Sequence, residues 1–214
     1  MKYAFLVFFI LSTSVHLYAS FKRDQRMRNI TKPMILLSLM GFYVFAAGSF
    51  SWIVMLALLF SWIGDILLMR RGVKWFFAGG ISFTVSHVLF IVRYLQDIDF
   101  ARVPVLLIIG FAVLFMSPVV MLFSKLTKHL PKNLEAPLFL YLLLNGAMNC
   151  FAAYRCASIP NLMTVLTALG AVLFFVSDAL LFVVRFYKRS LIKSHFGVML
   201  TYSLGEFLIV LGLL

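Results

Sequence analysis

Acidic residues are scarce in this sequence. There are 7 Asp and Glu among 214 residues, against 19 Lys and Arg, and charged residues make up only 12% of the chain. With so little charge and 64% hydrophobic residues, no soluble fold of this length has enough interior to hide its apolar side chains. Cysteine is nearly absent. Cys150 and Cys156 fall in one apolar run, six positions apart and so on different faces of a helix, which argues against a disulfide between them. No polar stretch is long enough for a separate soluble domain. Local catalytic fingerprints are missing too: there is no G-x-S-x-G, no H-E-x-x-H, no Walker loop and no Cys/His cluster. The sequence therefore indicates no dedicated metal site.

What is present is apolar, in runs long enough to cross a bilayer, which takes about 20 residues. These runs predict helices over 3–20, 33–48, 51–69, 75–94, 103–123, 137–157, 160–184 and 195–214. The expected fold is all-α: a polytopic membrane protein of eight transmembrane helices, forming a single integral membrane domain over 1–214. The net charge of +12 would suggest nucleic acid in a soluble chain. Here it lies between the apolar runs, so no nucleic-acid partner is expected. Lys22, Arg23, Arg26, Arg28 and Lys32 follow the first run, and Arg70, Arg71 and Lys74 follow the third. Lys125, Lys128 and Lys132 follow the fifth, and Arg185, Lys188, Arg189 and Lys193 follow the seventh. The opposite side has Lys2, Arg93, Arg102 and Arg155. Basic loops face the cytoplasm, which places both termini on the non-cytoplasmic side, of the inner or plasma membrane if the source is bacterial. The first run, ending His16-Leu17-Tyr18-Ala19-Ser20, also has the look of a cleaved signal peptide. The basic cluster directly behind it reads instead as a stop signal.

The chain repeats itself weakly. Ser61-Trp62-Ile63-Gly64-Asp65-Ile66-Leu67-Leu68 has a counterpart in Ser177-Asp178-Ala179-Leu180-Leu181. Phe77 precedes His87 by the same interval as Phe196 precedes Glu206. Lys32-Pro33 and Ala136-Pro137 open corresponding runs. The halves 1–100 and 101–214 are thus expected to be parallel four-helix repeats with a shared site between them.

An ionisable side chain at membrane depth costs at least about 2.5–3.5 kcal/mol and calls for a reason. Asp65 and Asp178 each lie a short way before a basic loop, at similar depth, while His87 and Glu206 lie near mid-membrane. Tyr141, Asn145 and Asn149 recur at four-residue spacing and share a helix face, as do Tyr202 and Glu206. Taken singly, each has a structural explanation: an aspartate anchored by an interfacial arginine, a histidine packed in the core, or asparagines joining helices. Together, four titratable groups from four helices at one depth point to a substrate or proton site.

These residues carry a family resemblance. Lys32-Pro33, Ser61-x-x-Gly64-Asp65-x-x-Leu68, Phe77-x-Gly79 followed by His87, and Ser177-Asp178-x-Leu180 together resemble the YhhN family, which includes the transmembrane lysoplasmalogenases. The likeness runs from the second helix to the eighth. Glu206 departs from the neutral amide common near that position. The resemblance implies hydrolysis of the vinyl ether bond of a lysoplasmalogen to a fatty aldehyde and a glycerophospho head group, with no cofactor. It implies a lysophospholipid substrate and membrane lipid as partners. Vinyl ethers hydrolyse through protonation on carbon, which calls for a carboxylic acid and a carboxylate. Asp65 and Asp178 are expected to be that catalytic pair, with His87 orienting one of them or water. Lys32 is expected to meet the phosphate, and Tyr141, Asn145, Asn149, Tyr202 and Glu206 to line the pocket. The competing reading is a non-enzymatic lipid or small-molecule transporter using the same buried acids.

Overall fold

The computed structural model describes residues 1–130, 132–186 and 195–214. Eight α-helices account for nearly all of them: α1 (Lys2–Lys22), α2 (Gln25–Ala46), α3 (Trp52–Leu68), α4 (Val73–Leu95), α5 (Val105–Leu126), α6 (Lys132–Ser158), α7 (Leu162–Phe186) and α8 (Phe196–Leu211). Six of these are long and apolar enough to cross a membrane; α3 and α8, at 17 and 16 residues, are shorter.

The first connection is much tighter than the charge pattern suggests. The expected basic loop over 21–32 reduces to Arg23 and Asp24. Arg23 takes a left-handed conformation (φ 60°), and the N–H groups of Arg23 and Asp24 donate back to Ser20 O and Ala19 O, closing α1. The Asp24 carboxylate then accepts from the N–H groups of Arg26 and Met27, so α2 begins at Gln25 rather than at Pro33. Arg26, Arg28 and Lys32 thereby become helical residues. Pro33 lies inside α2, and its carbonyl accepts from Trp62 Nε1 (3.0 Å). Pro137 likewise lies inside α6, which starts at Lys132. Lys188, Arg189 and Lys193, expected to complete the fourth basic cluster, lie outside the described residues.

Packing neighbours run α1–α2–α3–α4, then α4–α6–α7–α8, and α8 returns to α1 and α2. The result is a closed ring of seven helices. α5 lies outside it, against α6 and α7, and buries only Val119 and Leu126. The ring is inside-out by the standard of a soluble protein. Leu106 is 80% exposed, whereas Asn145, His87 and Glu206 are 0% exposed. An apolar exterior around a polar interior is the distribution that bilayer solvent selects, and the chain is an integral membrane protein.

Two features lock the helices that carry the site. α7 and α8 approach through Gly170 and Gly205: a Cβ at Gly170 would lie 2.7 Å from Gly205 O, and one at Gly205 2.9 Å from Gly170 O. Only glycine permits that approach, which sets Tyr202 and Glu206 on α8 against α7. At the other end, Arg155 of α6 donates from Nε to Asp97 Oδ2 (2.7 Å) and from Nη1 to Thr167 Oγ1 (2.9 Å) and Gly212 O (3.1 Å). One guanidinium thus ties α6 to α7, to the end of α8 and to the turn after α4. Burial pushes the Asp97 carboxyl up, but hydrogen bonds from Arg93 and Arg155 outweigh it and hold the group below the ordinary carboxylate range.

Candidate active site

The polar interior opens into a cavity of about 490 Å³ at the end of the ring where the basic residues of α2 lie. α2 contributes Arg28 and Lys32, and α3 contributes Asp65 and Leu68. α4 contributes Phe77, Gly80, Ile81 and Thr84; α6 contributes Pro137, Leu140 and Tyr141. Ser177, Asp178 and Phe182 come from α7, and His195, Val198 and Tyr202 from the start of α8. Most of the wall is aliphatic or aromatic, with a few converging polar groups, as in sites for amphiphilic ligands.

Asp65 and Asp178 both border this cavity but are held differently. Asp65 is 2% exposed. Its Oδ1 pairs with Lys32 Nζ at 2.9 Å, and its Oδ2 accepts from the Tyr202 hydroxyl at 2.8 Å. Both oxygens are therefore committed, one to a cation. Asp178 is 6% exposed. Its Oδ2 accepts from both the Tyr141 hydroxyl and Asn145 Nδ2, at 2.5 Å each. Neither partner is a cation, and the residue lines the cavity. The two aspartates thus share a tyrosine donor as a common feature and differ in the second partner.

Of the other residues singled out in the sequence, Asn145, Asn149, His87 and Glu206 lie behind this wall. Asn149 Nδ2 donates to Asn145 O (3.0 Å) and to Asn145 Oδ1 (3.3 Å), so it supports the asparagine that holds Asp178. His87 packs its ring against Tyr141 and Phe174, with centroids 5.2 and 5.1 Å away, and neither ring nitrogen has a hydrogen-bond partner among the described residues. It touches the tyrosine of the Asp178 pair rather than an aspartate. Glu206 is fully buried beside Ser61, whose hydroxyl is bonded to that of Ser86 (2.9 Å) and spans α3 and α4. Lys32 is engaged with Asp65 instead of standing free for a phosphate.

Two ionisable residues at the cavity were not expected there from the sequence. Arg28 lies one helical turn before Lys32, on the same face of α2. That spacing was legible once α2 is known to start at Gln25. His195 caps α8; burial first, then the neighbouring Arg28 and Lys32 charges, push its pKa down to about 4, so it is uncharged near neutral pH.

A closed ring of membrane helices with two tyrosine-held aspartates at an apolar cavity defines a class: an integral membrane protein built around an intramembrane acidic site. The chain belongs to the YhhN family, which it matches over residues 27–213. No curated protein and no solved structure matches it.

Proposed function

We propose that the protein is a lysoplasmalogenase-like hydrolase that cleaves the vinyl ether bond of a lysoplasmalogen. The observation that carries the reading is the pair Asp65 and Asp178, on opposing helices of one apolar cavity, with unlike partners. Family membership is consistent with it. Vinyl ether cleavage needs one group that gives a proton and one that tolerates positive charge. Asp178, at the cavity wall and with no cation among its hydrogen-bond partners, is the donor. Its proton goes to the vinyl carbon remote from oxygen, leaving an oxocarbenium ion. Asp65, already paired with Lys32 and Tyr202, faces that cation as a carboxylate. Water adds to the oxocarbenium carbon and loses a proton to a carboxylate, giving a hemiacetal. The hemiacetal then breaks its C–O bond to release a fatty aldehyde and the glycerophospho alcohol. Tyr141 and Asn145 position Asp178, Asn149 supports Asn145, and His87 packs behind Tyr141. Glu206 sits deeper, outside the cavity wall.

In the same reading all eight helices span the membrane and both termini lie on the non-cytoplasmic side. The α3 Asp65 and α7 Asp178 are then equivalent positions of two parallel four-helix repeats. The cavity mouth, beside Arg28 and Lys32, faces the cytoplasm.

Purified protein incubated with lysoplasmalogen should release fatty aldehyde. Absence of aldehyde, with the lipid instead carried across a vesicle bilayer, would replace this reading by a transporter that uses the same acids.

A further inference from the structure

Lys32 is spent on Asp65, so the charge that meets a substrate's phosphate must come from elsewhere. Arg28 is the remaining cation on the cavity wall among the described residues. Its Nη1 makes one long contact to Gln25 Oε1 (3.4 Å), and its Nε is buried without a hydrogen-bond partner. A buried guanidinium N–H with no acceptor costs stability unless a ligand supplies one. His195, beside it, contributes no charge near neutral pH.

The opposite side of the cavity lies between α4 and α6. Phe77, Ile81 and Leu140 line the cavity there and are 41%, 50% and 51% exposed. The wall on that side is built of apolar side chains. Gly80 lies in that wall, and a Cβ built on it meets nothing within 4 Å. Gly80 thus leaves unfilled space beside α4 at this height. About two helical turns beyond it His87 of α4 packs on Tyr141 of α6.

We propose that the cavity binds a single-chain phospholipid in one orientation, with its phosphate on Arg28 and its chain leaving between α4 and α6 past Gly80. The proposal rests on the lysophospholipid reading of the site and adds the anchor and the route. A bidentate guanidinium matches a phosphodiester, and Arg28 has only one long hydrogen bond to give up in turning to it. A chain passing Gly80 lies with its reacting end near the aspartates and its tail in the bilayer, so the lipid need not leave the membrane to be bound.

The test is a binding titration with a saturated alkyl lysophosphocholine, which carries the phosphate and chain but no vinyl ether. A monoalkylglycerol of the same chain serves as the uncharged comparison. Arg28→Gln should weaken the lysophosphocholine about tenfold to a hundredfold and leave the alkylglycerol unchanged. Arg28→Lys should restore part of the loss. Gly80→Ala and Gly80→Phe should shorten, in that order, the longest chain that still binds, while short chains bind as before. Equal effects of Arg28→Gln on both lipids, or no effect on either, would overturn the phosphate anchor. Full binding of long chains by Gly80→Phe would overturn the route. Because the probe cannot be hydrolysed, binding is read apart from turnover: a protein that binds it in this pattern yet releases no aldehyde from lysoplasmalogen would sink the hydrolase reading and leave the binding orientation standing.

Discussion

Replacing Lys32 by methionine keeps the length and apolar body of the side chain and removes the positive partner of Asp65. The Asp65 side chain is 3% exposed and that of Lys32 17%, with 2.9 Å between charges. Removing one partner of a buried pair costs about 3–5 kcal/mol, because the other charge is left in a low-dielectric site. The lysine end opens toward the cavity, so the lower end of that range applies, about 3 kcal/mol. For a chain of this size that corresponds to a fall on the order of 10 °C in unfolding midpoint. Asp65→Asn should lose less, since an amide keeps the hydrogen bond from Tyr202. The double variant Lys32→Met/Asp65→Asn should lie well above the sum of the two singles, with a coupling of about 1–3 kcal/mol. Thermal unfolding in detergent, followed by far-UV circular dichroism, gives all four corners of the cycle. Kinetics on the same proteins separate the roles. If Lys32 serves Asp65, Lys32→Met lowers kcat; if it meets the phosphate, KM rises with kcat unchanged. Additive midpoints together with a pure KM effect would refute the pairing as the reason for Lys32.

Gly205→Ala should destabilise by at least about 1–3 kcal/mol, since the new Cβ lands 2.9 Å from the Gly170 carbonyl, whereas Gly80→Ala meets open space and should leave stability unchanged or raise it by up to about 1 kcal/mol. Asp97 is held below its unfolded value, so its contribution is present above the ordinary carboxylate range and is lost as pH falls through its depressed folded value. Arg155→Gln should therefore lower the midpoint most near neutrality and less in acid, where only the lost bonds to Thr167 and Gly212 still count, read by midpoints across a pH series. His87→Phe should retain folding and cost less than tenfold in turnover, because the ring packs on Tyr141 and Phe174 without hydrogen bonds from its nitrogens; a hundredfold loss would show that its nitrogens take part.

The existence, order and type of the helices were legible from apolar run length, because a bilayer demands unbroken runs and punishes polar interruptions. The start of α2 was not. Five basic residues look like a loop, yet the two hydrogen bonds accepted by Asp24 are enough to begin the helix eight residues before Pro33. The peripheral place of α5 had a signal that went unused: 103–123 contains no ionisable residue, and a helix with nothing to hide faces lipid on most sides. The polar residues themselves stood out for their cost in a membrane. Their pairings did not, because Lys32 with Asp65 and Asp97 with Arg155 join residues far apart in sequence whose meeting depends on how the ring closes. For the same reason Asp65 and Asp178 look equivalent in sequence and acquire different partners only in the fold.

The proposed mechanism turns on proton transfer from Asp178 to carbon. Hydrolysis of lysoplasmalogen in D₂O, with the aldehyde trapped at once by reduction to the alcohol, tests it directly. Carbon protonation predicts one deuterium at the carbon next to the former carbonyl in every product molecule. It also predicts that Asp178→Asn lowers the rate at least about a hundredfold. Product free of deuterium, or full turnover by Asp178→Asn, would contradict it.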